Sequence, residues 1–103
     1  MYNPPIPYRE QWVTVTYYTA SDDECGKSDG ITASGTKAVE GVTVAADHLP
    51  FGTLVEIDGA TYEVQDRFGG GYTDKIDVFT EDRSYAIQMG KQRKKIRILE
   101  GNQ

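Results

Sequence analysis

Apolar and polar positions along this chain alternate in short stretches, and the period is two almost throughout. Residues 12–19, Trp-Val-Thr-Val-Thr-Tyr-Tyr-Thr, put Val13, Val15 and Tyr17 on one face and Thr14, Thr16 and Tyr18 on the other. β-Branched and aromatic residues at that spacing predict a strand. Residues 42–46 form a brief apolar run that ends at Asp47, and Leu49-Pro50-Phe51-Gly52 turns the chain into another strand over 53–57. Asp58-Gly59 then separates Leu54-Val55-Glu56-Ile57 from Thr61-Tyr62-Glu63-Val64. A primed two-residue turn needs positive φ at its central positions, which Asp and Gly tolerate, so the pair predicts a β-hairpin.

In residues 75–79, Ile76 and Val78 alternate with Lys75, Asp77 and Phe79. A strand here holds Asp77 rigidly on the face opposite its β-branched neighbours. Asp66 has the parity of Tyr62 and Val64, so an unbroken strand would turn it inward, and we expect the strand to end or bend at this residue. After Phe79, Thr80 is expected to cap a short helix with Glu81 and Asp82 in its first turn, Tyr85, Ala86 and Met89 on one stripe, and Gly90 at its close. Lys91, Arg93, Lys94 and Lys95 read as a solvated turn leading into a last strand over 96–99. Residues 1–11, with Pro4, Pro5 and Pro7, read as an extended arm, because proline fixes φ and lacks a donor. One domain then covers 12–100. About six short strands and one small helix predict a mainly β fold, a compact barrel or sandwich.

Composition narrows the function. The charge of -5 and pI near 4.7 argue against a sequence-independent hold on nucleic acid or anionic lipid, which needs a basic footprint. A neutral or weakly charged partner fits better. A single cysteine, Cys25, excludes an internal disulfide framework and a multi-cysteine metal site. The first eleven residues contain no apolar run, so they read neither as a signal peptide nor as a membrane span.

The candidate chemistry is acidic. Asp47, Asp66 and Asp77 each fall at or near a strand end or face, where a barrel can bring them to one rim. Gly69-Gly70-Gly71 lacks the lysine-serine pair of a phosphate loop, leaving either a flexible turn or a loop whose backbone approaches a substrate closely. His48 follows Asp47 directly, which sends the two side chains apart in an extended backbone and disfavours a serine triad. A Cys25-His48 dyad is a further alternative, without the helix N-terminus that usually activates a thiol. Asp22, Asp23, Glu24 and Asp29 occupy a polar loop over 21–35, but their spacing fails the calcium-loop pattern and no metal is expected.

Taken in order, the segments at 14–20, 32–36 (Thr-Ala-Ser-Gly-Thr), 44–47 (Val-Ala-Ala-Asp), 49–53 (Leu-Pro-Phe-Gly-Thr) and 66–77 resemble the three-aspartate (3D) domain, and the resemblance spans 13–99. The Leu-Pro-Phe-Gly-Thr segment and Asp66-Arg67 also resemble rare lipoprotein A, a sister barrel. The resemblance implies a six-stranded double-psi β-barrel with one short helix, and a lytic transglycosylase that cleaves peptidoglycan without a cofactor. It places the three named aspartates on Asp47, Asp66 and Asp77, with Asp77 as the catalytic acid. Where the family usually has Thr-Gly-Gly-Ala-Ile-Lys-Gly after its second aspartate, this chain has Arg67-Phe68-Gly69-Gly70-Gly71-Tyr72-Thr73, and the loop lysine is gone.

In such an enzyme a single carboxylic acid protonates the glycosidic oxygen between N-acetylmuramic acid and N-acetylglucosamine. As carboxylate, it then accepts the proton of the muramic C6 hydroxyl that attacks C1. Asp77 takes that role, with Asp66 and Asp47 orienting it or supplying like charge. Thr32, Ser34, Tyr17, Tyr18, Gly69 and Gly70 are the expected sugar contacts. The expected partner is a peptidoglycan glycan strand, in a cell-wall, extracellular or phage-associated setting, bound by a monomer or a domain-swapped dimer. A non-catalytic glycan-binding or structural module on the same barrel is the alternative.

Overall fold

A computed structural model describes residues 7–20 and 30–100. Cys25 and the acidic residues Asp22, Asp23, Glu24 and Asp29 lie outside the described residues. Six strands, β1 (Tyr8–Tyr18), β2 (Thr43–Ala45), β3 (Leu54–Ile57), β4 (Ala60–Asp66), β5 (Lys75–Phe79) and β6 (Gln92–Leu99), close into a barrel in the order β1-β5-β2-β4-β3-β6. One short helix, α1 (Arg83–Met89), lies between β5 and β6. The mainly β barrel with one small helix is therefore the architecture the chain adopts. β1 with β5 and β2 with β4 are parallel pairs, and the other neighbours run antiparallel.

The interior is filled almost entirely by branched side chains: Val13 and Val15 of β1, Val44, Val55, Ile57, Val64, Ile76, Val78, Ile96 and Ile98. These are the inward positions of the two-residue period, and branched residues suit the tight interior of a small barrel. Tyr17 and Tyr62 pack against this core at its margin. The Asp58-Gly59 hairpin forms as expected. Asp58 takes φ 51° and Gly59 φ 85°, and the Ile57 to Ala60 pairing sets the register of β3 against β4.

Three local expectations are corrected. β1 begins at Tyr8, so strand replaces the expected arm over 8–11, because β6 supplies partners from Leu99 opposite Tyr8 to Gln92 opposite Val15. β6 likewise starts at Gln92, and its basic residues belong to a strand rather than a solvated turn. Arg93 pairs with Asp74, Lys94 with Asp58, and Lys95 and Arg97 with Glu10. The helix is capped by Asp82, whose side chain accepts from the Tyr85 N–H, and not by Thr80. Thr80 is buried, and its hydroxyl donates to Glu40 while accepting from the Asp82 N–H, so it ends the strand rather than opening the helix. Gly90 closes α1 with φ 60°, its N–H bonded to the Ala86 carbonyl. Among the described residues no helix is long and apolar enough to cross a membrane.

Candidate functional site

β2 is three residues long, yet it lies between the two strands that carry the acids. Ala45 is the register partner of Asp77 in β5 and of Asp66 in β4, and Asp77 is in turn opposite Thr16 of β1. Directly opposed residues in adjacent strands project to one face. Thr16, Asp77, Ala45 and Asp66 therefore form a row across four neighbouring strands, on the face opposite the Val44, Val64 and Val78 layer of the core. The methyl of Ala45 is the only side chain set between the two acids in that row.

Asp66 reaches the row through a β-bulge. Val44 pairs with Val64, but the next residue, Ala45, pairs with Asp66, so Gln65 is the extra residue of β4. An inserted residue inverts the parity beyond it and re-aims the following side chain. The inward parity of Asp66 in the sequence is thereby reversed, and the strand ends on it. The Gln65 side chain accepts from the hydroxyl of fully buried Thr43 at 2.6 Å, and its carbonyl accepts from the Ser34 N–H, which pins the bulge on both sides.

Each aspartate has a distinct set of partners. Asp77 accepts from the Thr16 hydroxyl at 2.8 Å. Asp66 accepts from the Ala33 and Arg67 N–H groups through Oδ1 and from the Tyr18 hydroxyl through Oδ2, at 2.9, 2.9 and 3.0 Å. Tyr18 comes from β1, three places away in the barrel order, and its ring rests edge-on against Phe79. Asp47 lies two residues beyond Ala45 and accepts four backbone N–H groups, from Phe68 and Gly69 at Oδ1 and from Gly70 and Tyr72 at Oδ2. Burial pushes the Asp47 carboxyl up, but those four donors outweigh it and hold the group below its ordinary value of 3.8. Asp47 is thus an ionised clamp for the loop over 68–72.

The other expected contacts divide by position. Thr32 is buried, and its hydroxyl closes a triangle with those of Ser34 and Thr36 at 3.0 to 3.1 Å. That turn meets the acid row because Asp66 holds the Ala33 N–H. Gly69 and Gly70 are exposed, but Asp47 accepts both of their N–H groups. Tyr17 lies on the other face of β1 from the row, with the core margin and Tyr85 of α1, so the structure separates it from the acids. His48 also points elsewhere than Asp47, its Nε2 being 3.0 Å from the Gln11 side chain.

Two cations border the row. Arg67 donates to the Ala46 carbonyl at 2.7 Å and stacks on Phe51 at 3.9 Å. Lys75 shares its face of β5 with Asp77, and its ammonium sits 4.0 Å from the centre of the Tyr72 ring. Sequence reasoning passed over Lys75, although its parity with Asp77 was a visible signal.

We expect Tyr18→Phe to preserve the ring contact with Phe79 and lose the bond to Asp66. The expected cost is about 1 kcal/mol, read as a lower urea midpoint at unchanged slope.

No protein-family model matches the chain. It is 30% identical over 90 residues to a protein of Bacillus subtilis (strain 168) named as a cell wall shaping protein, YabE. The match takes in 84% of this chain and 22% of YabE, so the chain spans about a fifth of that relative's length. Likeness to a protein so named is consistent with a cell-wall-related role.

Proposed function

We propose that this barrel cleaves the glycan strands of peptidoglycan as a lytic transglycosylase, with Asp77 as the proton carrier. The observation that carries the reading is the row Thr16, Asp77, Ala45 and Asp66, which a bulge assembles on one face. Asp77 protonates the oxygen between N-acetylmuramic acid and N-acetylglucosamine, and the bond from that oxygen to C1 breaks. The muramic C6 hydroxyl attacks C1 and returns its proton to the Asp77 carboxylate, which leaves a 1,6-anhydro sugar and restores the acid. No water is consumed and no cofactor enters.

Asp66 and Asp47 act here as positioning residues rather than proton carriers, since each carboxylate already holds backbone N–H groups. Asp66 anchors the Thr32 and Ser34 turn beside the row, and Asp47 fixes the glycine loop. A protein named for cell wall shaping is the right kind of relative for such chemistry.

The deciding experiment incubates the full chain with purified peptidoglycan and examines the soluble products by mass spectrometry. Muropeptides ending in 1,6-anhydro-N-acetylmuramic acid are expected. Reducing-end sugars would indicate a hydrolase instead, cleaved cross-links a peptidase, and retention of intact strands without products a binding module.

A further inference from the structure

We infer that Lys75, set on Tyr72 beside the acid row, is a subsite for a carboxylate carried by the glycan, so that the chain selects strands whose sugars bear an anionic substituent. The inference rests on the proposed function, since it names what that site reads in its substrate.

The ammonium is fixed in place. Tyr72 presents its ring 4.0 Å from the Lys75 nitrogen, and Phe68 meets that ring edge-on at 5.5 Å. The ring also lies tight on the loop backbone, because a Cβ built on Gly70 would come within 2.6 Å of it. The loop itself is clamped by Asp47 through the Tyr72, Gly70, Gly69 and Phe68 N–H groups. A lysine normally spends considerable rotamer entropy on binding, and a half-buried stem with a cation–π rest has already lost much of that freedom.

Among the described residues no carboxylate forms an ion pair with this ammonium. Arg9, Arg93, Lys94, Lys95 and Arg97 all pair with carboxylates, whereas Lys75 rests on an aromatic face, and its neighbour Asp74 is bonded to Arg93. A ring face attracts an ammonium without neutralising it and leaves N–H donors for an anion. In a chain of net charge -5, a held cation on the Asp77 face of β5, with Arg67 at the other border of the row, creates a local exception to a field that otherwise repels anions. Lys75 and Asp77 are two residues apart on one strand, about 7 Å, which is the scale of a single sugar ring and its substituents. A glycan whose scissile bridge meets Asp77 therefore brings a substituent of that sugar to Lys75, and the ether-linked lactyl carboxylate of N-acetylmuramic acid has the matching charge wherever the stem peptide that would otherwise cap it as an amide has been removed.

The test uses Asp77→Asn to prevent turnover and soluble glycan strands stripped of their peptides. Binding is measured by calorimetry against the native strands and against the same strands with their carboxylates amidated. Native strands are expected to bind about tenfold more tightly, as one charge-assisted contact would give. Lys75→Gln should abolish that preference, and Lys75→Arg should retain part of it, with melting temperatures confirming that both variants fold. Equal binding of the two strands would overturn the carboxylate subsite and leave the glycan reading intact. Failure of both to bind would remove the proposed function and the subsite with it. A preference that survives in Lys75→Gln would place the anion on another residue and overturn the assignment.

Discussion

Asp77→Asn is expected to leave a folded barrel that releases no measurable 1,6-anhydromuropeptides, with kcat lowered by about 10²- to 10⁴-fold, the range supplied by a positioned general acid and base. The amide can still accept from Thr16, which bonds Asp77 at 2.8 Å, and its volume suits the same place between Thr16 and Ala45. Stability should therefore stay close to that of the parent. What the amide lacks is a proton to give to the bridging oxygen and a basic oxygen to take one from the C6 hydroxyl. A variant with full activity on purified peptidoglycan would show that another group carries the proton. Asp66 is then the next to test, although its three hydrogen-bond donors favour a holding role.

Asp47→Ala is expected to produce the largest stability loss among these variants. The carboxylate receives four backbone N–H bonds at 2.8 to 3.1 Å. Hydrogen bonds to a charged acceptor contribute about 1.5–3 kcal/mol each when the donors would otherwise be buried unpaired. Gly69, Gly70 and Tyr72 are exposed, so their N–H groups re-bond to water, and the sum falls well short of four full contributions. A loss of about 2–4 kcal/mol in urea unfolding is the expected result. Asp47→Asn should recover at most half of this, because one of its two polar atoms is itself a donor and faces N–H groups. Activity should fall in both variants through the loosened loop, since Lys75 rests on Tyr72 of that loop.

The same residue sets part of the acid sensitivity. The folded Asp47 value lies below the ordinary 3.8, so its contribution is fully present above that pH and is lost as pH falls through the lower folded value. His48 acts earlier. Burial, followed by the nearby Arg9 charge, holds its folded value below 6.5, and stability present above that pH declines as the ring is forced to charge. Unfolding measured from pH 7 to pH 3 should thus show a decline from His48 at the higher end in both parent and Asp47→Asn. The further decline below about pH 4 should be smaller in the variant by the share that Asp47 supplies.

The local pattern specified a good deal of this molecule. Alternation in residues 12–18, 54–57, 61–64 and 75–79 marked which side chains enter the core, and Asp58-Gly59 fixed one register outright, because period and turn geometry are properties of neighbouring residues. The face of Asp77 was legible for the same reason.

Tertiary pairing decided the rest. β1 and β6 extend to Tyr8 and Gln92 only because each supplies the other's hydrogen-bond partners, more than seventy residues away in the chain. Asp66 joins Asp77 across Ala45 because a short strand drawn between theirs forces Gln65 out of register. The clamp at Asp47 depends on the closure of a loop some twenty residues later in the sequence. Alternation along a strand tells each side chain which face to take, but which acids share that face is settled when the barrel closes, since register between distant strands is a contest among contacts that no local stretch contains.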